Sequence, residues 1–271
     1  MNLNTVKDLK RPKSADEIRQ WRDGYAWLAG GTWLFSEQQV HVDTLIDLHT
    51  LKWPALTAGK DGLEIAATCR IAELYDFKPP KEWRSGPVIG ECCRSFLSSF
   101  KIWNEATVGG NLCMSLPASP MVSLVVALEG ILTLWPRDGA PREVLATNFV
   151  TGNHQNVLAP GELLRSIRLP AEALSKNFAF RRSSLTHLGR SAVLLIGTRA
   201  PAGDVILTVT AATAHPVQLR FKGSPSEAEL RDAIDSAVPD SLWFDDVHGS
   251  PAHRRHLTYH FGEEIRKELE A

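Results

Sequence analysis

The chain has 271 residues, and 44% of them are hydrophobic, which allows a sizeable core and two or three lobes. The formal net charge of −1 at pH 7 gives no global electrostatic reason to bind nucleic acid or an acidic membrane. No apolar run is long enough to span a bilayer, and residues 1–13 carry charges and lack an apolar signal segment. We therefore expect a cytoplasmic protein without a membrane span.

The first region predicts a small β-α-β lobe over residues 1–55. Ser14 is a plausible N-cap, and Glu17 follows three residues later, so a helix is expected that ends near Gly24. Residues 25–29 predict a short strand that leads into a glycine turn, and residues 41–48 predict a second strand.

The second region, residues 56–175, and the third, residues 176–271, mix helices and strands. Strands are predicted at 62–67, 130–135 and 163–170 in the second region, and at 191–199 and 205–212 in the third. Helices are predicted from residue 70, at 88–100, 121–128 and 226–238, and from residue 251 to the end. The class is α+β with mixed sheets.

Two glycine turns about eighty residues apart share one pattern. The first is residues 27–34 (Trp-Leu-Ala-Gly-Gly-Thr-Trp-Leu), and the second is residues 106–112 (Ala-Thr-Val-Gly-Gly-Asn-Leu). Glycine lets the backbone approach a ligand closely, and successive N–H groups in such a turn form an anion site. We expect two main-chain cradles that hold one diphosphate from both sides. The alternative is a pair of ordinary tight turns, and the spacing disfavours a Rossmann site.

A loop with two prolines and two serines follows the second turn. Ser119 fits the N-cap of the next helix, and Pro120 fits its first position. This capping role does not exclude a ligand, because a helix N-terminus also favours a phosphate.

The cysteines and histidines do not predict a metal site. Cys92 and Cys93 are adjacent, which suits neither a metal clip nor an ordinary disulfide, so we expect reduced thiols. His253, His256 and His260 share one face of the last helix, but no acidic partner stands at a matching step. No catalytic triad can be assembled either, so no catalytic residue is predicted and the chemistry is expected to belong to a bound cofactor.

At these residues the chain resembles the FAD-binding (medium) subunits of molybdenum hydroxylases, which include the flavoprotein subunits of carbon monoxide dehydrogenase and bacterial xanthine dehydrogenase. The resemblance covers nearly the whole chain and rests on both glycine motifs, residues 160–170 and residues 250–255. It implies a two-lobed FAD-binding domain of the PCMH type, with lobes at 1–55 and 56–175. A C-terminal α+β domain, residues 176–271, would cover the flavin side.

The resemblance implies FAD as the cofactor and assigns roles to single positions. Segments matching both glycine motifs wrap the diphosphate in the family, positions matching Leu97 and Leu164 contact the cofactor, and a basic residue matching Arg181 lies by the flavin. The predicted cofactor-binding residues are Trp27, Leu28, Ala29, Gly30, Gly31, Thr32, Trp33, Leu34, Leu97, Thr107, Val108, Gly109, Gly110, Asn111, Ser115, Ser119, Pro120, Leu164 and Arg181.

The chain also departs from the family pattern. Trp33 and Pro120 stand where the family commonly has aspartate, which leaves binding to backbone donors and to Ser115 or Ser119. Arg190 replaces a frequently acidic position.

The implied function is electron relay. A molybdenum-cofactor large subunit would oxidise the substrate, an iron–sulfur small subunit would pass single electrons, and FAD would deliver them to a terminal acceptor. The partners would form a heterotrimer, doubled in the assembly. One alternative is a scaffold of the same complex that has lost FAD, and another is a free-standing flavin oxidase.

Overall fold

The structure is a computed structural model that describes residues 3–271, so Met1 and Asn2 of the N-terminal segment lie outside the described residues. The described chain forms sheets of three, five and four strands and a further pair of strands. Each of the three predicted regions contains one of the larger sheets, while the boundaries at 55/56 and 175/176 stay predictions. Among the described helices, none has the length and apolar character needed to cross a membrane.

The first sheet is parallel, with the strand order β1-β3-β2. It confirms the two predicted strands and adds a third at the N-terminal side. The strands are β1 (Asp8–Lys10), β2 (Tyr25–Leu28) and β3 (Thr44–Asp47).

The predicted helix between β1 and β2 is wrong. Only a 3-10 turn forms, at Asp16–Ile18, and Ala15 rather than Ser14 precedes it. Further along, Trp21 packs against Trp27 with ring centroids 4.7 Å apart. This tertiary contact takes the place of the helix that the local capping pattern favours.

The second sheet is antiparallel, with the order β4-β5-β10-β6-β7, and a short hairpin lies beside it. The strands predicted at 62–67, 130–135 and 163–170 are confirmed. The strands are β4 (Leu56–Gly59), β5 (Gly62–Ala66), β6 (Ile131–Trp135), β7 (Arg142–Leu145), the hairpin β8 (Val150–Gly152) and β9 (Gln155–Asn156), and β10 (Leu163–Pro170).

Short helices fill the second region. The helix predicted at 88–100 ends early, at Ser95, and a separate short helix begins at Phe100. Between them the Phe96 carbonyl accepts a hydrogen bond from Trp103 Nε1 at 2.9 Å. The helices are α1 (Ile71–Asp76), α2 (Pro87–Ser95), α3 (Phe100–Trp103), α4 (Val108–Met114), α5 (Pro120–Ala127) and α6 (Ala171–Leu174).

The third sheet is antiparallel and follows the chain order β11-β12-β13-β14. Helix α8 lies on it so closely that a Cβ at Gly197 would come within 2.3 Å of Ile265 Cγ2. Both predicted strands and both predicted helices are confirmed. The elements are β11 (Asn177–Ser183), β12 (Val193–Arg199), β13 (Val205–Thr210), β14 (Val217–Phe221), α7 (Glu227–Ala237) and α8 (Pro251–Glu270).

Helix α5 joins the second region to the third sheet. All 8 of its residues are buried. Ser123 Oγ lies 2.7 Å from Thr210 Oγ1 on β13, and the Ala211 N–H donates to the Pro117 carbonyl at 3.0 Å. The loop before α5 is therefore held against the end of β13.

Glu162 is buried, and its main chain links the first two regions. Glu162 accepts hydrogen bonds from Nε and Nη2 of Arg142, both at 2.7 Å, and its main-chain carbonyl accepts from Trp27 Nε1 at 3.2 Å. The Arg142 guanidinium holds the pKa of Glu162 below its ordinary value of 4.5, the Ala159 N–H acts in the same direction, and burial opposes both.

We predict that Glu162→Gln lowers the free energy of unfolding at neutral pH by about 1–3 kcal/mol, because bonds to a charged group are lost. A lowered folded-state pKa means that the carboxylate stabilises the fold fully above about pH 4.5 and loses this effect as the pH falls further. Urea unfolding across this range should show a steeper loss for the unsubstituted protein than for the variant.

The matched control is Glu143→Gln. Glu143 is exposed, and its Oε1 lies 3.8 Å from Arg168 Nη2, which is too far for a hydrogen bond. Its expected effect is below about 1 kcal/mol. Equal effects of the two substitutions would contradict the role given to Glu162.

Candidate functional site

One cavity of about 990 Å³ lies where the three regions meet. Its volume is at the upper end for small-molecule sites, as an extended ligand requires. Thirteen of the predicted residues line it: Trp27, Ala29, Gly30, Gly31, Thr32, Trp33, Leu34, Leu97, Thr107, Gly110, Asn111, Ser119 and Pro120.

The first glycine motif forms an open main-chain cradle. Gly31 has a φ of +69°, a conformation that favours glycine. Within residues 3–271, no protein atom accepts a hydrogen bond from the backbone N–H groups of residues 30–34. These consecutive donors line the cavity, so they are available to an anionic ligand.

The two glycine motifs meet through their backbones. A Cβ built on Gly30 would lie 1.9 Å from the Glu105 carbonyl oxygen and 3.1 Å from Ala106 Cα. Only glycine permits this approach. The open cradle therefore packs against residues 105 and 106, which lead into the second motif.

The prediction of a second main-chain cradle is wrong, because residues 108–111 begin helix α4. Their N–H groups donate within the protein at 2.8–3.1 Å, to the carbonyls of Cys69, Ala67 and Thr107 and to the Thr107 hydroxyl. A Cβ on Gly109 would lie 2.5 Å from Ala67 Cβ, so this glycine serves helix packing.

The second motif offers side chains to the cavity instead. The Thr107 hydroxyl accepts from the Gly110 N–H and keeps its own O–H as a donor. Asn111 Oδ1 accepts from the Met121 N–H at 3.1 Å, which caps α5 and leaves the Asn111 Nδ2 group as a donor. Both residues line the cavity.

The structure does not bring six predicted residues to the cavity wall. Leu164 is 1% exposed within β10, and the buried Ser115 donates to the Leu112 carbonyl at 3.0 Å. Arg181 binds Glu264 and Glu268 of α8 at 2.6 and 2.7 Å, which turns it away from the cavity. The six are Leu28, Val108, Gly109, Ser115, Leu164 and Arg181.

Comparisons with known proteins identify the family. The family model described as FAD binding domain in molybdopterin dehydrogenase matches residues 5–172, which is more than half of the chain. The chain belongs to this family. FAD is therefore its cofactor.

Individual relatives agree with this assignment. The chain is 31% identical to caffeine dehydrogenase subunit beta of Pseudomonas sp. (strain CBB1) over 194 residues, which are 68% of this chain and 64% of that one. It is 30% identical to xanthine dehydrogenase of Oryza sativa subsp. japonica over 139 residues, 48% of this chain. The match spans about a tenth (10%) of the rice protein.

Solved structures show the same fold at low identity. Carbon monoxide dehydrogenase from Hydrogenophaga pseudoflava superposes with a TM-score of 0.81 at 18% identity, covering 97% of this chain and 96% of that one. Quinoline 2-oxidoreductase from Pseudomonas putida 86 gives 0.80 at 17% identity, covering 99% and 98%. The predicted α+β architecture is thereby confirmed.

The residues of the cavity fit FAD. The N–H groups of residues 30–34 suit its diphosphate, while Thr107 and Asn111 suit its polar chain. Trp33 and Pro120, the two departures from the family pattern, both line the cavity and leave about 990 Å³ between its walls. The cavity therefore gives no support to the alternative of a scaffold that has lost FAD.

Sequence reasoning missed much of the far wall. His154 packs against Trp33 with ring centroids 5.8 Å apart, and its φ of +56° places it in the left-handed region. The third region adds Asp246 and His248, among others, together with Arg190, which stood out in the sequence only as a departure from the family pattern. These positions are far apart in the chain and carry no shared motif, so no local signal could have united them.

The cavity offers no reactive thiol. Cys113 lines it, and burial raises the pKa of this thiol to about 12, which keeps it protonated at neutral pH. Residues 3–271 also contain no group of three or more His, Cys, Asp or Glu suited to a metal ion.

We predict that Gly30→Ala weakens FAD binding at least about tenfold, because the new Cβ forces the cradle away from the Glu105 carbonyl. Titration of the apoprotein with FAD, followed by flavin fluorescence, measures the effect. Gly59→Ala is the control, since a Cβ at Gly59 meets nothing within 4 Å. Equal dissociation constants for both variants would refute the cradle, provided that circular dichroism shows both folded.

Proposed function

We propose that this chain is the flavoprotein subunit of a molybdenum-containing hydroxylase or dehydrogenase. Its FAD would connect iron–sulfur clusters of a partner chain to a terminal acceptor. The observation that carries the proposal is the cavity with its open cradle in a chain of the molybdopterin dehydrogenase FAD-binding family.

The relatives support the division into subunits. Caffeine dehydrogenase subunit beta is named as one subunit of its enzyme. The rice xanthine dehydrogenase has about nine tenths of its length outside the match. We therefore assign the molybdenum cofactor and the iron–sulfur clusters to a large and a small partner subunit, in a heterotrimer that is doubled in the assembly.

The residues of this chain have binding and orienting roles in the proposed reaction. The N–H groups of residues 30–34 would hold the diphosphate, and Thr107 and Asn111 would donate to the polar chain of the cofactor. Trp33 and His154 add an aromatic wall. FAD supplies the redox chemistry when bound, since it exchanges electrons singly or in pairs.

The proposal predicts the composition of the complex. The full chain, tagged and purified from its source cells, should carry two partner chains together with iron and molybdenum, measured by mass spectrometry and elemental analysis. Recovery of a FAD-loaded chain without either metal would contradict the proposal.

The flavin should also be reduced through the partners. Under anaerobic conditions caffeine, xanthine, an aldehyde, quinoline and carbon monoxide serve as test reductants, and one of them should bleach the flavin absorption of the complex. The isolated chain should not respond. Bleaching of the isolated chain would instead favour a free-standing oxidase. A complex with Gly30→Ala should keep its metals while losing flavin.

A further inference from the structure

The charged side chains of the cavity lie mainly on its third-region wall. They are Arg190, Arg254 and Asp246. Two histidines also line the cavity: His248, whose backbone N–H donates to Asp246 Oδ1, and His154, in the hairpin of β8 and β9. The glycine cradle of the first region, whose donors are neutral backbone N–H groups, lines the same cavity.

Arg254 is not available to a ligand. It is 1% exposed, and it forms an ion pair with Asp246. Its remaining N–H groups donate to the carbonyls of Gly249, Ala192 and Ala211. Its charge is compensated inside the wall, so it acts as a structural tie for the end of β13 and for the turn at 246–249.

Arg190 differs from Arg254 in its exposure and in the compensation of its charge. It is exposed and lines the cavity, and within residues 3–271 no carboxylate or carbonyl accepts a hydrogen bond or ion pair from its side chain. Its guanidinium is therefore the uncompensated cation of this wall.

The position of Arg190 is set by its neighbours. Arg182 Nε donates to Ser191 Oγ at 2.7 Å, and Arg182 Nη2 donates to the Gly189 carbonyl. Arg254 holds the Ala192 carbonyl in the same segment. The residues on both sides of Arg190 are thus fixed to strand β11 and helix α8, although the Arg190 side chain itself is free.

We propose that Arg190 is the counter-cation for a negatively charged group of FAD. Such a group is present in the diphosphate at all times and arises on the flavin ring when it is reduced. Backbone N–H groups carry only partial charges, whereas Arg190 would add a full positive charge and a planar fork that can contact a phosphate through two hydrogen bonds. The inference rests on the FAD assignment and not on the proposed electron relay.

The test compares Arg190→Gln, Arg190→Lys and Arg190→Glu in the full chain. Dissociation constants for FAD, for ADP as the diphosphate without a flavin, and for riboflavin as the flavin without a phosphate are measured at low and high salt. The flavin midpoint potential is measured on the loaded proteins. Arg231→Gln is the control, because Arg231 is an exposed arginine of α7 outside the cavity.

If the diphosphate is the partner, Arg190→Gln should weaken FAD and ADP binding about tenfold at low salt and leave riboflavin unchanged. The salt dependence should shrink, Arg190→Glu should bind more weakly still, and Arg190→Lys should retain part of the affinity. If the reduced ring is the partner, binding of oxidised FAD should change little and the midpoint should fall.

The inference is overturned if the Arg190 variants match the Arg231→Gln control in binding, salt dependence and midpoint. Thermal unfolding of the apoproteins should be equal across the series, which separates a charge effect from a folding defect. A failure of the unsubstituted chain to bind FAD would instead refute the cofactor assignment, and a complex without partner metals would refute only the relay.

Discussion

The approach of residue 30 to the backbone of residue 105 is the constraint on which the rest of the site depends. A side chain at residue 30 would overlap the Glu105 carbonyl, so glycine alone lets the first lobe close onto the second. The same loop leaves its N–H groups without protein acceptors. Unpaired backbone donors cost free energy when they are shielded from water, and an anionic ligand removes that cost. Closure of the lobes and the proposed affinity for a diphosphate would therefore be two results of one backbone arrangement.

The same dipeptide serves a different purpose in the second motif. A Cβ at Gly109 would overlap Ala67, because helix α4 packs directly on that residue. The N–H groups of this motif donate hydrogen bonds within the protein at the start of the helix. A Gly-Gly step in a sequence indicates only that a side chain would be in the way. Whether the neighbouring N–H groups stay open depends on contacts between distant residues. This explains why two similar motifs predicted two cradles, although only the first leaves its N–H groups without protein acceptors.

The same distinction separates what the sequence predicts from what it does not. Strands β6, β10, β12 and β13 and helices α7 and α8 follow from apolar patterning and local caps, and they form as predicted. The helix expected from Ser14 fails because the packing of Trp21 on Trp27 overrides a local cap. Family resemblance places a cation near the flavin at Arg181, yet the carboxylates of α8 pair with it. The third-region residues and His154 that line the cavity are far apart in the chain and share no motif. The sequence therefore does not show that they belong to one site.

The arrangement of the arginines in the third-region wall affects how the cavity would interact with a charged cofactor. Arg182 donates to Ser191 and Arg254 donates to the Ala192 carbonyl, and these hydrogen bonds fix the segment that carries Arg190. In the proposed site, the neutral N–H donors of the cradle would bind a charge that is already present. A cation held on the other side also responds to charge that develops later, because its interaction with an initially neutral group is small and grows with ionisation. A pocket built in this way can hold its cofactor with one wall and bias the charge state of that cofactor with the other.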